Sequence, residues 1–118
     1  MKFTRKQQLA YDRGRLLKAE PLNEMCALRE EVLKTGRKLT NKEQLMTWRC
    51  QLVWKTEEVF QRQLRIAIYR RAIQMGDKEE ARNHRIDGLD TPTKRLVERM
   101  VNAYEEYNKW RIICRMDA

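Results

Sequence analysis

The chain has 118 residues, the length of one typical domain, and its formal net charge of +9 makes the surface strongly basic. Because 36% of the residues are charged and only 4 Gly and 2 Pro are available for turns, we predict an all-α fold, a single helical domain over residues 1–118. No apolar run approaches the ~20 residues that span a bilayer. The cysteines, Cys26, Cys50 and Cys114, are odd in number and far apart in the sequence, which favours an intracellular, reducing, cytoplasmic location.

The first helix is predicted from about residue 5 to residue 20. Thr4 and Gln7 have the spacing of a capping box, in which two side chains satisfy backbone N–H groups at a helix start. Gly14 is expected to be a weak point, because glycine costs about 1 kcal/mol in a helix interior. The side chains expected to face inward are Leu9, Leu16 and Leu17.

The second helix is predicted from Leu22 to Gly36, after a break at Pro21. Gly36 is suited to the left-handed position that follows many helix ends. The apolar residues predicted to form the inner face are Leu22, Met25, Cys26, Leu28, Val32 and Leu33.

The third helix is predicted between Thr40 and Gly76, a stretch without Gly or Pro that opens on a second capping box, Thr40 with Glu43. Apolar residues seven apart predict one long central helix, but Lys55 and Arg62 interrupt the companion positions. We therefore expect a bundle helix that is packed at both ends and polar in the middle, and its continuity near residue 56 stays open. The seven-residue series is Leu45, Leu52, Val59, Ile66 and Ile73.

Two more helices are predicted after Gly76. The Asp77 and Glu80 spacing indicates a short acidic helix to about His84, followed by a turn at residues 87–88. Thr91 before Pro92 indicates the start of a last helix that runs to near residue 113. Its expected inner face is Leu96, Val97, Met100, Val101, Tyr104 and Tyr107. The result is a bundle of about four helices built around the long central one.

Catalytic, metal and cofactor sites are not predicted. His84 is the only histidine, and a zinc site would have to combine it with three cysteines that lie far apart in the sequence. The carboxylate pairs are sequence neighbours, which point about 100° apart on a helix and do not converge on one substrate. The four glycines stand singly, so no phosphate-binding loop is present in the sequence. We expect a protein that is not an enzyme.

Nucleic-acid binding has the strongest support in the sequence, because Lys and Arg on rigid helices can hold phosphates. Positive charge concentrates in two segments: residues 1–19 carry +5 and residues 37–76 carry +6. The cluster predicted on the long helix is Gln61, Arg62, Gln63, Arg65, Arg70 and Arg71, and the cluster on the first helix is Lys2, Arg5, Lys6, Arg13, Arg15 and Lys18. We expect contacts to RNA or DNA backbones within a larger nucleoprotein assembly, and no base-specific reading.

A protein-binding function is the alternative. Met46, Trp48 and Trp54 on the long helix could dock a partner helix, or pair two copies of the chain as a homodimer. The basic surface would then suit an acidic protein partner, such as a nucleic-acid-processing enzyme that the chain inhibits or bridges as an adaptor. Salt separates the two functions, because phosphate contacts weaken steeply with salt and apolar contacts weaken little.

Overall fold

Five helices form the described part of the chain. The computed structural model describes residues 3–17, 22–83 and 90–116, with the backbone alone at residues 22–25 and 90–92. No strand occurs within these ranges, and the predicted all-α bundle around one long helix is confirmed. In chain order the helices are α1 (Arg5–Leu16), α2 (Leu22–Thr35), α3 (Asn41–Gln74), α4 (Lys78–Asn83) and α5 (Asp90–Met116).

Of the three predicted capping boxes, those at the starts of α1 and α3 are present in full. At the start of α1, Thr4 Oγ1 accepts a hydrogen bond from the Gln7 N–H at 3.2 Å, and Gln7 Oε1 accepts one from the Thr4 N–H at 3.0 Å. At the start of α3, Thr40 and Glu43 exchange the same two bonds at 3.2 and 2.9 Å. Each box satisfies two N–H groups that have no partner inside the helix.

Two glycines end helices as the sequence predicts. Gly36 follows α2 with φ of 68°, and Gly76 follows α3 with φ of 72°, a region that other residues adopt at a cost. At the end of α3 the Gly76 N–H donates to the Ile73 carbonyl at 3.2 Å, and the Asp77 N–H donates to the Ala72 carbonyl at 2.9 Å. These two bonds satisfy carbonyls of the last turn, so the helix stops at a defined place.

The core lies between α3 and α5, which run antiparallel. Arg62 of α3 contacts Thr93 near the start of α5, whereas Trp48 near the start of α3 lies beside Ala103. The 34 residues of α3 form one unbroken helix about 51 Å long, which settles its continuity past residue 56. The buried apolar cluster consists of Ala10, Leu52, Val59, Val97, Met100, Ala103 and Tyr107.

The predicted packing along α3 is wrong. Its middle is its most buried part, because Leu52, Thr56 and Val59 have no exposed surface. Ile73 near its end is 57% exposed, although it belongs to the same seven-residue series. The physical reason is that α1 and α5 both pack against the middle of α3. Arg62 contacts Thr93, and α5 begins only three residues before Thr93, so α5 does not reach Ile73.

The predicted inner face of α1 is also wrong in two of its three leucines. Leu9 and Leu16 are exposed, Leu16 by 79%, and only Leu17 packs against the core. The buried residues of α1 are Ala10 and Gly14. A Cβ atom added to Gly14 would lie 2.6 Å from Thr56 Cβ, so the glycine lets α1 approach α3 closely and is not a weak point.

Helix α2 contributes less to the core than the sequence indicates. Leu33 is 74% exposed and Cys26 is exposed, whereas Leu28 and Val32 are half-buried. The side chains of residues 22 and 25, also predicted inside, lie outside the described residues. The reason is that α2 lies against one side of α3 near Trp54 and is not enclosed by α5, so one narrow line of its surface is covered.

Arg37 fastens the α2–α3 connection. Its Nε donates to Glu31 of α2 at 3.0 Å, and its Nη1 and Nη2 donate to the two carboxylate oxygens of Glu43 in α3 at 2.8 and 2.9 Å. These bonds stabilise the charged forms of both partners. They lower the pKa of Glu43 to about 2 and raise the pKa of Arg37 above its usual range.

Helix α5 is longer than predicted at both ends. It begins at Asp90, so Thr91 lies inside the helix and is not its cap, and it ends at Met116. Its predicted inner face is correct in outline, because Val97, Met100 and Tyr107 are buried and the other three residues of that face are half-buried against the core. The predicted turn at 87–88 and His84 lie outside the described residues.

Candidate nucleic-acid interface

The end of α3 extends beyond the bundle. Arg62 lies at the level of Thr93, and α3 continues to Gln74, whereas α5 starts only three residues before Thr93. About nine residues of α3, or roughly 13 Å, therefore reach past the start of α5. These residues belong to a longer segment of α3, from Val59 to Gln74. That longer segment, together with α4, is called the basic end below.

Within the basic end, helix α4 folds back against the last turns of α3. Asp77 caps α4, accepting a hydrogen bond from the Glu80 N–H at 2.9 Å. Ala72 and Ala81 are both buried, and their small side chains let the two helices approach. A groove of about 310 Å³ is left beside them, and it is lined by Tyr69, Ile73, Lys78, Ala81 and Arg82.

The basic end of α3 carries arginine without a compensating carboxylate on the same helix. No Asp or Glu occurs between Glu58 and Asp77 in the sequence. Arg65, Arg70 and Arg71 are exposed, and none of them forms an ion pair with another described residue. Three guanidinium groups are thus open to an anionic ligand along about two turns of one rigid helix.

Arg62 differs from the other three arginines. It is half-buried, its Nε donates to Thr93 Oγ1 at 3.4 Å, and its Nη2 is buried without a hydrogen-bond partner among the described residues. It lines a groove of about 560 Å³ whose other lining residues include Arg65 and two carboxylates, Glu57 and Glu58. Arg62 therefore joins α3 to α5 and leaves one donor in need of an acceptor.

The four predicted arginines do not share one face of α3. The nine residues from Arg62 to Arg71 turn the helix through about two and a half turns, so these two side chains leave on opposite sides. Arg65 follows Arg62 by three residues and lies on its side, and Arg70 lies between the two directions. Arg65 lies about 140° around the helix from Arg70 and about 120° from Arg71, so a single backbone of nucleic acid along one face would not meet all three. The predicted amides, Gln61 and Gln63, are exposed and half-buried, respectively.

Two of the four described cations of the α1 cluster are engaged within the fold. Lys6 forms an ion pair with Glu105 of α5. Arg15 donates to Glu57 at 3.0 Å, and its guanidinium lies 4.1 Å from the centre of the Phe60 ring. Of its other predicted cations, Arg5 is exposed, Arg13 is half-buried, and Lys2 and Lys18 lie outside the described residues. The α1 cluster thus offers less free charge than the sequence suggests.

The residues predicted to bind a protein partner are half-buried. Met46, Trp48 and Trp54 keep part of their surface in solvent. Trp48 lines a groove of about 360 Å³ between α3 and α5, next to Arg95 and Arg99. Trp54 lies where a groove of about 540 Å³ separates α2 from α3. Most of the surface of these side chains therefore serves the fold itself.

Two cations of the basic end were missed in the sequence. Lys78 and Arg82 belong to a segment that sums to a negative charge, so the short fourth helix reads as acidic. The two residues are four apart, a spacing that places them on one face of a helix. That spacing could have identified the two cations as neighbours. The groove that they share with Tyr69 could not be predicted from it, because it depends on how α4 packs against α3.

The described residues supply no other chemical centre. Among them, no group of three His, Cys, Asp or Glu side chains is placed to hold a metal ion. Cys26, Cys50 and Cys114 are exposed, buried and half-buried, respectively, and none of the three forms a disulfide with another described residue. No helix within these ranges is long and apolar enough to cross a membrane.

Comparison with known protein families, with curated proteins and with solved structures gives no match to this chain.

Proposed function

We propose that the chain is a non-enzymatic accessory protein that contacts RNA or DNA phosphates through its basic end, as part of a larger nucleoprotein assembly. The observation that carries this proposal is the set of exposed arginines on α3, Arg65, Arg70 and Arg71, in a stretch without any carboxylate. Arginine suits phosphate because its planar fork donates two parallel hydrogen bonds.

The groove beside α4 supports the same function. Tyr69 is half-buried and lines this groove together with two cations, Lys78 and Arg82. An aromatic ring with flanking cations is the combination that single-stranded nucleic acids use, because a base stacks on the ring while its phosphates meet the charges. Arg62 adds a donor that an arriving phosphate oxygen could satisfy.

The test is a fluorescence-anisotropy titration of labelled single-stranded RNA and duplex DNA at several salt concentrations. If the three exposed arginines each neutralise one phosphate, the logarithm of the binding constant should fall against the logarithm of salt with a slope of about −2.7 for duplex DNA and about −2.1 for a single strand. The polymer that still binds at near-physiological salt is the preferred ligand.

A charge-matched pair of variants locates the site. Arg65→Glu with Arg70→Glu should remove most of the binding and lower the steepness of the salt dependence by about two contacts. Lys38→Glu with Lys42→Glu makes the same change in net charge at exposed positions beside the other end of α3, and it should leave binding nearly unchanged. Equal losses in the two variants would show that net charge alone attracts the polymer, and the assigned site would be wrong.

A further inference from the structure

An apolar stripe follows the basic end of α3 on the side away from Arg62, with Arg65 at its edge one turn from Ile68. Leu64, Ile68, Arg71 and Met75 are spaced by four, three and four residues, so they lie in one line along the helix surface. Leu64 is 44% exposed and Met75 is 71% exposed, and Ile68 is half-buried. The stripe is about 16 Å long, which is the length of three turns of a second helix.

The described helices leave this stripe uncovered. The buried side of α3 follows Leu52 and Val59, and Leu64 lies about 140° around the helix from Val59. Helix α4 packs against Ala72 and Tyr69, which lie about 100° and about 160° around α3 from Arg71. Exposed apolar side chains at helical spacing are typical of a surface that receives an amphipathic helix.

We propose that this apolar stripe docks one acidic amphipathic helix of a protein partner. The argument for an acidic helix is charge complementarity. Arg71 lies in the middle of the stripe, Arg65 borders it one turn before Ile68, and no Asp or Glu of α3 follows Glu58. A partner helix with apolar residues along one line and Asp or Glu beside them would cover the apolar side chains and neutralise the arginines together.

Two other occupants fit the stripe less well. In a homodimer formed by this surface, the Arg71 side chains of two copies would approach each other with no carboxylate of the stripe to separate them, which disfavours the pairing. A nucleic-acid strand would meet Arg71 but would leave Leu64 and Met75 exposed to water. Met75 also suits a protein ligand, because its flexible side chain adapts to irregular apolar surfaces.

The stripe lies on the opposite side of α3 from Arg62 and about 130° around the helix from Arg70, and it shares Arg71 with the phosphate contacts proposed above. The chain would therefore hold nucleic acid through arginines that flank the stripe and a protein through the apolar side chains of the stripe itself. Such an arrangement makes it a bridge within an assembly, which goes beyond the binding of nucleic acid alone.

The experiment is a display selection of random 18-residue helical peptides against the intact chain. Enriched peptides should carry Asp or Glu beside apolar residues at a spacing of three and four. They should bind the double variant Leu64→Gln with Met75→Gln at least tenfold more weakly. The matched control is Leu33→Gln with Met116→Gln, which alters two apolar residues elsewhere that are more exposed than Leu64 and Met75, and it should bind as the parent chain does.

The proposal is overturned if no peptide is enriched, if the enriched peptides are neutral or basic, or if they bind the two double variants equally. It is also overturned if sedimentation shows that the parent chain dimerises and the Leu64→Gln, Met75→Gln variant does not. The salt-dependent binding of RNA or DNA by that variant should equal that of the parent chain. A loss of peptide binding with retained nucleic-acid binding therefore separates this surface from the one proposed for phosphates.

Discussion

The contact between Gly14 and Thr56 gives the most direct test of how α1 packs on α3. A methyl group added at Gly14 would come within 2.6 Å of Thr56 Cβ and 2.9 Å of Thr56 Cγ2. Thr56 has no exposed surface, and its Oγ1 donates to the Leu52 carbonyl at 2.7 Å, so it cannot turn aside without losing a bond. We expect Gly14→Ala to force α1 away from α3.

The magnitude follows from two opposing effects. Alanine is favoured over glycine by about 1 kcal/mol in a helix interior. Overpacking of a well-filled core costs about 1 to 3 kcal/mol, and overlap with a fixed side chain on a rigid helix belongs at the upper value. The net loss of unfolding free energy should be about 2 kcal/mol, which corresponds to a melting temperature lower by about 8 °C for a chain of 118 residues.

The assay is urea unfolding followed by far-ultraviolet circular dichroism, with the exposed position Gln8 as the control. Gln8→Ala should be more stable than Gln8→Gly by about 1 kcal/mol, which measures helix preference in α1 without a packing change. In a Thr56→Gly background the overlapping atoms are absent, so Gly14→Ala should become neutral or stabilising there. If Gly14→Ala alone raises the stability as much as the Gln8 comparison predicts, the close approach of α1 and α3 is refuted.

Three further predictions concern the core, the α2–α3 connection and α4. Met100→Ala should lower the free energy of unfolding by about 2 to 5 kcal/mol in urea titrations, because Met100 is fully buried, whereas Leu16→Ala should change it by less than about 0.5 kcal/mol. Glu43→Gln should lower the urea midpoint at pH 7. Because the pKa of Glu43 is lowered to about 2 in the folded chain, the difference in unfolding free energy between variant and parent should shrink as the pH falls from about 5 towards 2. A difference that stays constant with pH would mean that the charge of Glu43 does not stabilise the fold. Ala81→Leu should overpack the α3–α4 contact, so hydrogen exchange should accelerate in the α4 amides and not in the core, and unchanged protection would contradict the buried position of Ala81.

The sequence predicted the helix boundaries best where the signal is local. The two capping boxes depend on side chains three residues apart, and the two glycine ends depend on one backbone angle each, so both could be identified without the fold. The start of α5 at Asp90 was missed because Thr91 and Pro92 resemble a helix start that lies inside the helix here.

The inner faces were harder to predict because apolar size misleads where helices approach closely. Periodicity gives weight to large residues, so Leu9 and Leu16 appear to be the buried face of α1. The actual contact selects small residues, Ala10 and Gly14, because Thr56 lies directly opposite. Similarly, nothing in α2 itself shows that no second helix covers Leu33.

Whether a cation of this chain is free to bind a ligand depends more on where it lies in the fold than on how many cations its segment carries. Within the bundle a cation meets carboxylates from a neighbouring helix, as Lys6 meets Glu105 of α5 and Arg15 meets Glu57 of α3. These partners are far apart in sequence, so no local count of charges could show that the α1 cluster is engaged. Arg70 and Arg71 lie where α3 has passed the start of α5, and no described carboxylate pairs with them there. Because α3 passes the start of α5 and α4 packs against the side of Tyr69 and Ala72, Arg70 and Arg71 stay exposed, and the length of α3 relative to α5 is what makes the basic end the candidate surface.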